Sequence, residues 1–255
     1  MSERLHIAID AGHGPETPGK RSPDGTLREF HFNSVTAKYL AEELQKYEGV
    51  TTMFTHESSR DVSLKERTNR ANAATADLFV SIHANASGHE WSSVEGIETF
   101  VDDSRPATAV SLANAVQQQL IQATGLKDRG VKPADYHVLR ETNMTAILVE
   151  CGFMTNRREV ELLKSDAYRR VCAAAIAAGI AATYGLKRKE AGKSQAQNNQ
   201  VPAWAKTAHE WAAANGIYDG TRPNDTLTRA EMITILHRYD QKLQKELNSY
   251  GFPSL

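Results

Sequence analysis

The chain has 255 residues, 40% of them hydrophobic and 24% charged, with a formal net charge of −1. That is the make-up of a globular protein with a real core, long enough for one large domain or a medium domain with a small companion. Near-neutral charge excludes a bulk pull toward nucleic acid or an anionic membrane surface. Two cysteines, Cys151 and Cys172, cannot build a disulfide framework and are expected as free thiols in small buried spaces.

The opening "MSERLHIAIDAGHG" holds no apolar stretch of signal-peptide length, so no secretory signal is expected. Within it "LHIAID" (5–10) reads as a strand. "NSVTAKYLAEELQKY" sets Val35, Leu40 and Leu44 near helical spacing, and "VTTMFTH" follows as a strand. "SLKERTNRANAATA" is a helix with Leu64, Ala71 and Ala74 inward, and "DLFVSIH" and "VEGIETFV" are strands. "ATAVSLANAVQQQLIQAT" is a long helix, "YHVL" and "AILVE" are further strands, and helices fill about 156–184. The apolar "VCAAAIAAGIAATYG" is too short to span a bilayer and reads as a packed helix. This alternation predicts an α/β fold, a mixed, mostly parallel sheet with helices on both faces and an antiparallel edge.

Hydrophobic patterning stops at "KRKEAGKSQAQNNQ" (187–200), where Lys, Gln, Asn, Gly and Ser give linker composition. It returns in 201–255 as two helices around "GIYDGTRPNDTLT", with Thr228 as a helix cap and Glu231 three residues on. Such a unit is small for independent stability and is expected to lean on the first domain or on a second copy of itself.

In an open α/β sheet, ligands bind beyond the carboxyl ends of the strands. His13 follows the first strand in "IDAGHG", His83 ends its strand in "SIHANA", and Glu150 ends "AILVE". Two neutral imidazoles and a carboxylate are the protein ligands that a catalytic zinc takes, with a fourth position left for water. Glu29 in "LREFHFN" offers a second carboxylate, and His31 stands two residues from it. Asp10 either orients a ligand from behind or bonds backbone at the strand end. Glu98 in "GIETF" faces either the site or solvent. Arg67 and Arg129 are candidates for substrate carboxylates, although arginines of this kind are usually solvated. Cys151 is expected on the opposite strand face from Glu150. Trp204 and Trp211 are candidates for stacking on sugars, but at helical spacing they read as core. The remaining histidines fit no ligand spacing.

"IAIDAGHG", "REFHFN", "LKERTNRANAATADLFVSIHANA", "GIETF" and "NMTAILVECGFMTN" occur in an order that resembles the zinc-dependent N-acetylmuramoyl-L-alanine amidases of the amidase-3 type. The resemblance covers about 1–186. It implies a mixed α/β catalytic domain, zinc held by His13, Glu29 and His83, and Glu150 as the catalytic carboxylate. The substrate it implies is the amide between N-acetylmuramic acid and L-alanine in bacterial peptidoglycan. Thr145 stands where the family often has proline, and Phe30 and His31 follow Glu29 where lysine or serine is common. Residues 201–240 resemble a single S-layer-homology-type repeat, which implies cell-wall attachment, with self-association as the other use of the tail. Together these features look like a bacteriophage endolysin that reaches the wall after release. A mother-cell autolysin, a stem-peptide zinc peptidase and a non-catalytic wall binder are the alternatives.

Overall fold

The computed structural model describes residues 4–189, 206–215, 217, 235–237 and 239–243. In chain order the elements are β1 (Leu5–Ala11), α1 (Glu29–Leu44), β2 (Val50–Phe54), α2 (Leu64–Ala73), β3 (Leu78–Asn85) and β4 (Ile97–Val101). There follow α3 (Ala107–Thr124), β5 (Asp128–Pro133), α4 (His137–Arg140), β6 (Thr145–Phe153), α5 (Arg157–Lys164), α6 (Asp166–Tyr184) and α7 (Lys206–Ala214). The six strands form one sheet in the order β2-β1-β3-β6-β4-β5. The first four run parallel, β4 pairs antiparallel to β6, and β5 pairs parallel to β4. The expected mixed, mostly parallel sheet with an antiparallel edge is the one observed.

Period-two alternation sends each central strand into two separate cores. Ile7, Ile9 and Ala11 on β1, Val80 and Ile82 on β3, and Val149 and Cys151 on β6 join the larger core, with α1, α3 and α6 packed there. Ala8, Phe79, Ala146 and Leu148 turn the other way, into a smaller core with Ala71 of α2 and Val138 and Leu139 of α4. Those two helices are short. They cover only part of their face, and Asp10, Ser81, His83 and Glu150 continue the same side of β1, β3 and β6.

Local signals explain several boundaries. Ser63 caps α2 by accepting from the Glu66 amide, Asn156 caps α5, and Ser165 caps α6. α3 and α6 end at Gly125 and Gly185 in the left-handed conformation. "YHVL" is not a strand but the one-turn helix α4, because a turn lays the adjacent Val138 and Leu139 against one core whereas a strand would split them. β5, absent from the sequence reading, is the edge strand "DRGVKP", whose charges, glycine and proline hide its character. Leu64 is not inward but 54% exposed at the first position of α2, before the helix turns toward the sheet.

The chain divides into two compact units, Met1–Lys189 and Glu190–Leu255. The first three residues of the expected linker hold to the first unit: Glu48 N–H donates to the Lys187 carbonyl, Lys189 N–H to that of Lys46, and Arg188 bridges Tyr47. In the second unit α7 is described, and residues 235–237 and 239–243 are helical. Trp211 is not core there but 49% exposed. Trp204, Thr228 and Glu231 lie outside the described residues. No helix among the described residues is long and apolar enough to cross a membrane.

Candidate metal centre

Three side chains from separate segments converge where β1, β3 and the amino end of α1 meet. One ligand atom each from His13, Glu29 and His83 lies within 4.8 Å of the others. Glu29 stands between the two imidazoles, with Oε2 3.1 Å from His13 Nε2 and Oε1 2.9 Å from His83 Nδ1. The rings meet edge to face at 5.1 Å. Glu29 is buried and His31, two residues on, is exposed, so the helix turns only the carboxylate inward.

The short stretch Gly12-His13-Gly14 makes this approach possible. A Cβ on Gly12 would lie 2.0 Å from His83 Cε1, so the absent side chain is the space the ring occupies. His13 has φ 62°, left-handed backbone that costs a non-glycine residue about 1–2 kcal/mol. Arg67 holds that conformation. Its guanidinium donates to the carbonyls of His13, Ala11 and Val62 and to Asp10 Oδ1. The expectation of a solvated Arg67 is therefore wrong: its side chain is 2% exposed because each face of the fork has a partner.

Asp10 acts from behind the site and does not bond backbone at the strand end. Besides Arg67 it accepts from Thr55 at 2.6 Å and from Ser81 at 2.7 Å. Burial opposes its charge, but Arg67 and these hydroxyls outweigh burial and hold the carboxyl below its ordinary range. Having given its proton to Asp10, the Ser81 oxygen accepts from His83 Nε2 at 3.2 Å. This proton placement is assigned from the hydrogen-bond network. It leaves Nδ1 of neutral His83 as a lone pair facing a carboxylate at 2.9 Å. Such a contact requires positive charge between the two, a proton or a metal ion. Without metal, burial pushes the His83 imidazole down and Glu29 more than reverses it, so its pKa is raised. Glu29 follows the same logic, since burial opposes its charge and both histidines outweigh burial.

Glu150 completes the row. It lies opposite His83 in the β3–β6 register and opposite Glu98 in the β6–β4 register, so all three side chains share one face. β6 continues past it to Phe153, so Glu150 does not end its strand. Its Oε2 is buried with no hydrogen-bond partner among the described residues. Burial pushes its pKa up to about 8, with the His83 charge opposing and those of Glu29 and Glu98 adding. Cys151 points into the larger core, away from Glu150. Glu98 is buried on the site's side of the sheet, bound by Asn85, Arg129 and Lys132.

Sequence reasoning passed over Asn33 and Ser81. Asn33 donates to the Gly12 carbonyl at 3.0 Å and to Glu29 Oε1 at 3.4 Å, so one amide ties two segments of the centre together. Both positions carry a signal: Asn33 is four residues from Glu29 on one helix face, and Ser81 two from His83 on one strand face.

Residues 7–182 match the family described as N-acetylmuramoyl-L-alanine amidase, Amidase_3. The chain is 36% identical over 188 residues to the N-acetylmuramoyl-L-alanine amidase CwlM of Bacillus licheniformis, covering 73% of this chain and 72% of that protein. It is 30% identical over 247 residues to the endolysin of Bacillus phage SPP1, covering 90% of this chain and 89% of that one. The crystal structure of an N-acetylmuramoyl-L-alanine amidase from Clostridium difficile 630 superposes with a TM-score of 0.68 at 33% identity, over 71% of this chain and 97% of that one. The fold and these likenesses agree: the chain belongs to the Amidase_3 family of N-acetylmuramoyl-L-alanine amidases.

Proposed function

We propose that the protein is a zinc-dependent hydrolase that cuts the amide between N-acetylmuramic acid and L-alanine in bacterial peptidoglycan. The observation that carries this reading is the unpartnered, buried Glu150 Oε2 beside the His13–Glu29–His83 cluster. A buried carboxylate oxygen without a partner costs free energy that a fold does not keep for packing alone. Two imidazoles and a carboxylate fit zinc, and His13 Nε2, His83 Nδ1 and Glu29 would hold it. When bound, the metal supplies Lewis acidity, polarising a carbonyl and lowering a water's pKa toward ~7.

The chain's own residues do the rest. Glu150 takes a proton from the attacking water as its oxygen adds to the amide carbonyl. As the C–N bond breaks, Glu150 gives that proton to the departing nitrogen, so a free amine leaves and a carboxylic acid remains, which ionises in water. Its burial on the same sheet face as His83 places it beside the cluster for both transfers. Asp10 and Ser81 hold His83 in one tautomer, and Arg67 holds the His13 backbone.

We further read the protein as an endolysin whose residues 201–255 attach it to the cell wall, by themselves or as a self-associating unit, after release from the cell that made it. Support comes from the extent of likeness. The match to the phage endolysin spans 90% of the chain and so runs beyond the first unit, whereas the match to the Bacillus licheniformis amidase spans 73%.

Digestion of purified peptidoglycan with and without a zinc chelator, followed by mass spectrometry, tests the chemistry. The expected products are stem peptides with a free amino-terminal L-alanine and glycan strands without peptide. Cuts within the stem, or products unaffected by chelation, would overturn it.

A further inference from the structure

Arg129 and Lys132 are three residues apart on β5, and in a regular strand they would face opposite sides of the sheet. Here both reach Glu98: Arg129 Nε donates to Oε2 at 2.8 Å, and Lys132 Nζ donates to the same oxygen. The cause is a bulge. Between Ile97 and Thr99 β4 advances two residues while β5 advances three, from Asp128 to Val131, with Gly130 in left-handed backbone at φ 77°. Bulges of this kind re-aim side chains beside active sites. We propose that Arg129 and Lys132 form an anion subsite that binds a carboxylate on the peptide arm of the substrate, one or two residues from the scissile amide.

The two cations are fixed in place but not used up. Glu98 Oε1 accepts from Asn85 at 2.6 Å, so the buried carboxylate that anchors them is fully engaged. The guanidinium also lies over the Phe153 ring, 4.9 Å from its centroid. Arg129 Nη1 makes only a long contact to the Glu95 carbonyl at 3.4 Å, and Nη2 and the other Lys132 protons have no partner among the described residues. The side chains are 26% and 39% exposed, open to a ligand. Two positive charges on one negative charge leave the cluster net positive. Glu98 lies opposite Glu150, so the cluster faces the side of the sheet where the amide would be cut. The two cationic heads sit at Glu98 on β4, one strand from β6, roughly 5 Å at ordinary strand spacing. An extended peptide covers about 3.3–3.6 Å per residue, which sets the distance along the arm.

This inference rests on the amidase reading, and the experiment separates the two. Full-length, zinc-supplemented protein is given soluble muramoyl tripeptides whose peptide carboxylates are either free or blocked as carboxamides. The expected result is a kcat/KM at least about tenfold higher on the free carboxylates, the size of a charge-assisted pair. Arg129→Gln and Lys132→Gln should each shrink that ratio, and Arg129→Lys should restore part of it. Both rates come from one protein sample, so any misfolded fraction cancels from the ratio. Equal kcat/KM on the two substrates in the wild type, or an undiminished preference in both glutamine variants, would overturn the subsite while leaving the amidase reading intact. Cleavage of neither substrate would overturn the amidase reading and this inference with it.

Discussion

Asp10 and Arg67 form a buried ion pair, with Oδ1 2.7 Å from Nη1 and both side chains 2% exposed. One pair governs both histidines, His13 through its carbonyl and His83 through Ser81. Removing one partner leaves the other as an uncompensated buried charge. Arg67→Met is expected to cost about 3–5 kcal/mol in urea unfolding. The Asp10→Asn, Arg67→Met double variant should cost less than the sum of the two single changes. Additive losses would show that the pair is not coupled.

The proposed ligands and the proposed base should separate cleanly in the laboratory. His83→Ala is expected to lower zinc content together with activity, because one of the three proposed ligands is gone. Glu150→Gln keeps the shape but cannot accept a proton, so zinc should stay and turnover should fall ~10²–10⁴-fold. Metal analysis beside kinetics on both variants checks this. Stoichiometric zinc in His83→Ala removes that residue from the centre.

Stability without metal should carry the signature of Glu150. Its folded pKa is raised from 4.5 to about 8, so between those values the folded chain holds a proton that the unfolded chain has released. Stability from this group is therefore present below 4.5 and is lost as pH rises to about 8. Glu150→Gln has no such loss. In chelator-treated protein the variant should gain on wild type by a few kcal/mol between pH 5 and pH 8.5. Parallel pH profiles in urea unfolding would contradict it.

The boundary of the first unit can be tested to within three residues. A chain ending at Lys189 keeps the bonds of residues 187–189 to 45–48 and all four proposed site residues. It is expected to bind zinc and cleave soluble muropeptides at nearly the full-length rate, and, if residues 201–255 attach to the wall as proposed, to do worse on whole walls, where tethering would raise effective concentration. A chain ending at Leu186 loses those bonds and should be less stable by about 1–2 kcal/mol. Equal melting of the two truncations would argue that these bonds contribute nothing.

Where the strand is central and buried on both faces, the sequence speaks plainly. "IAID", "LFVSIH" and "AILVE" carry the β1, β3 and β6 register, and the polar residues that interrupt them are the ones that meet at the centre. Edge and one-turn elements speak less plainly. β5 has few apolar residues to alternate, and α4 shows two adjacent apolar residues that suit strand and helix equally. Arg67 is illegible for another reason, since an arginine on a helix is charged whether it meets solvent or a buried aspartate. Only the long-range fold brings Asp10 to it.

Gly12, His13 and Gly14 close off single mutational steps almost completely. A Cβ at Gly12 strikes the His83 ring and one at Gly14 comes 2.0 Å from Asp61 Oδ1, while His13 holds backbone that few other residues tolerate. Making room at Gly12 would mean giving up the His83 ring first, and making room at Gly14 would mean losing the Asp61 bonds to Glu16 and Thr17. A lineage carrying this fold is therefore freer to drift at Pro15, Glu16 and Pro18, none of which is buried, but meets a wall immediately before them. In a saturation library scored for peptidoglycan cleavage, that boundary should fall as a step between two adjacent codons, the tolerant side beginning at Pro15.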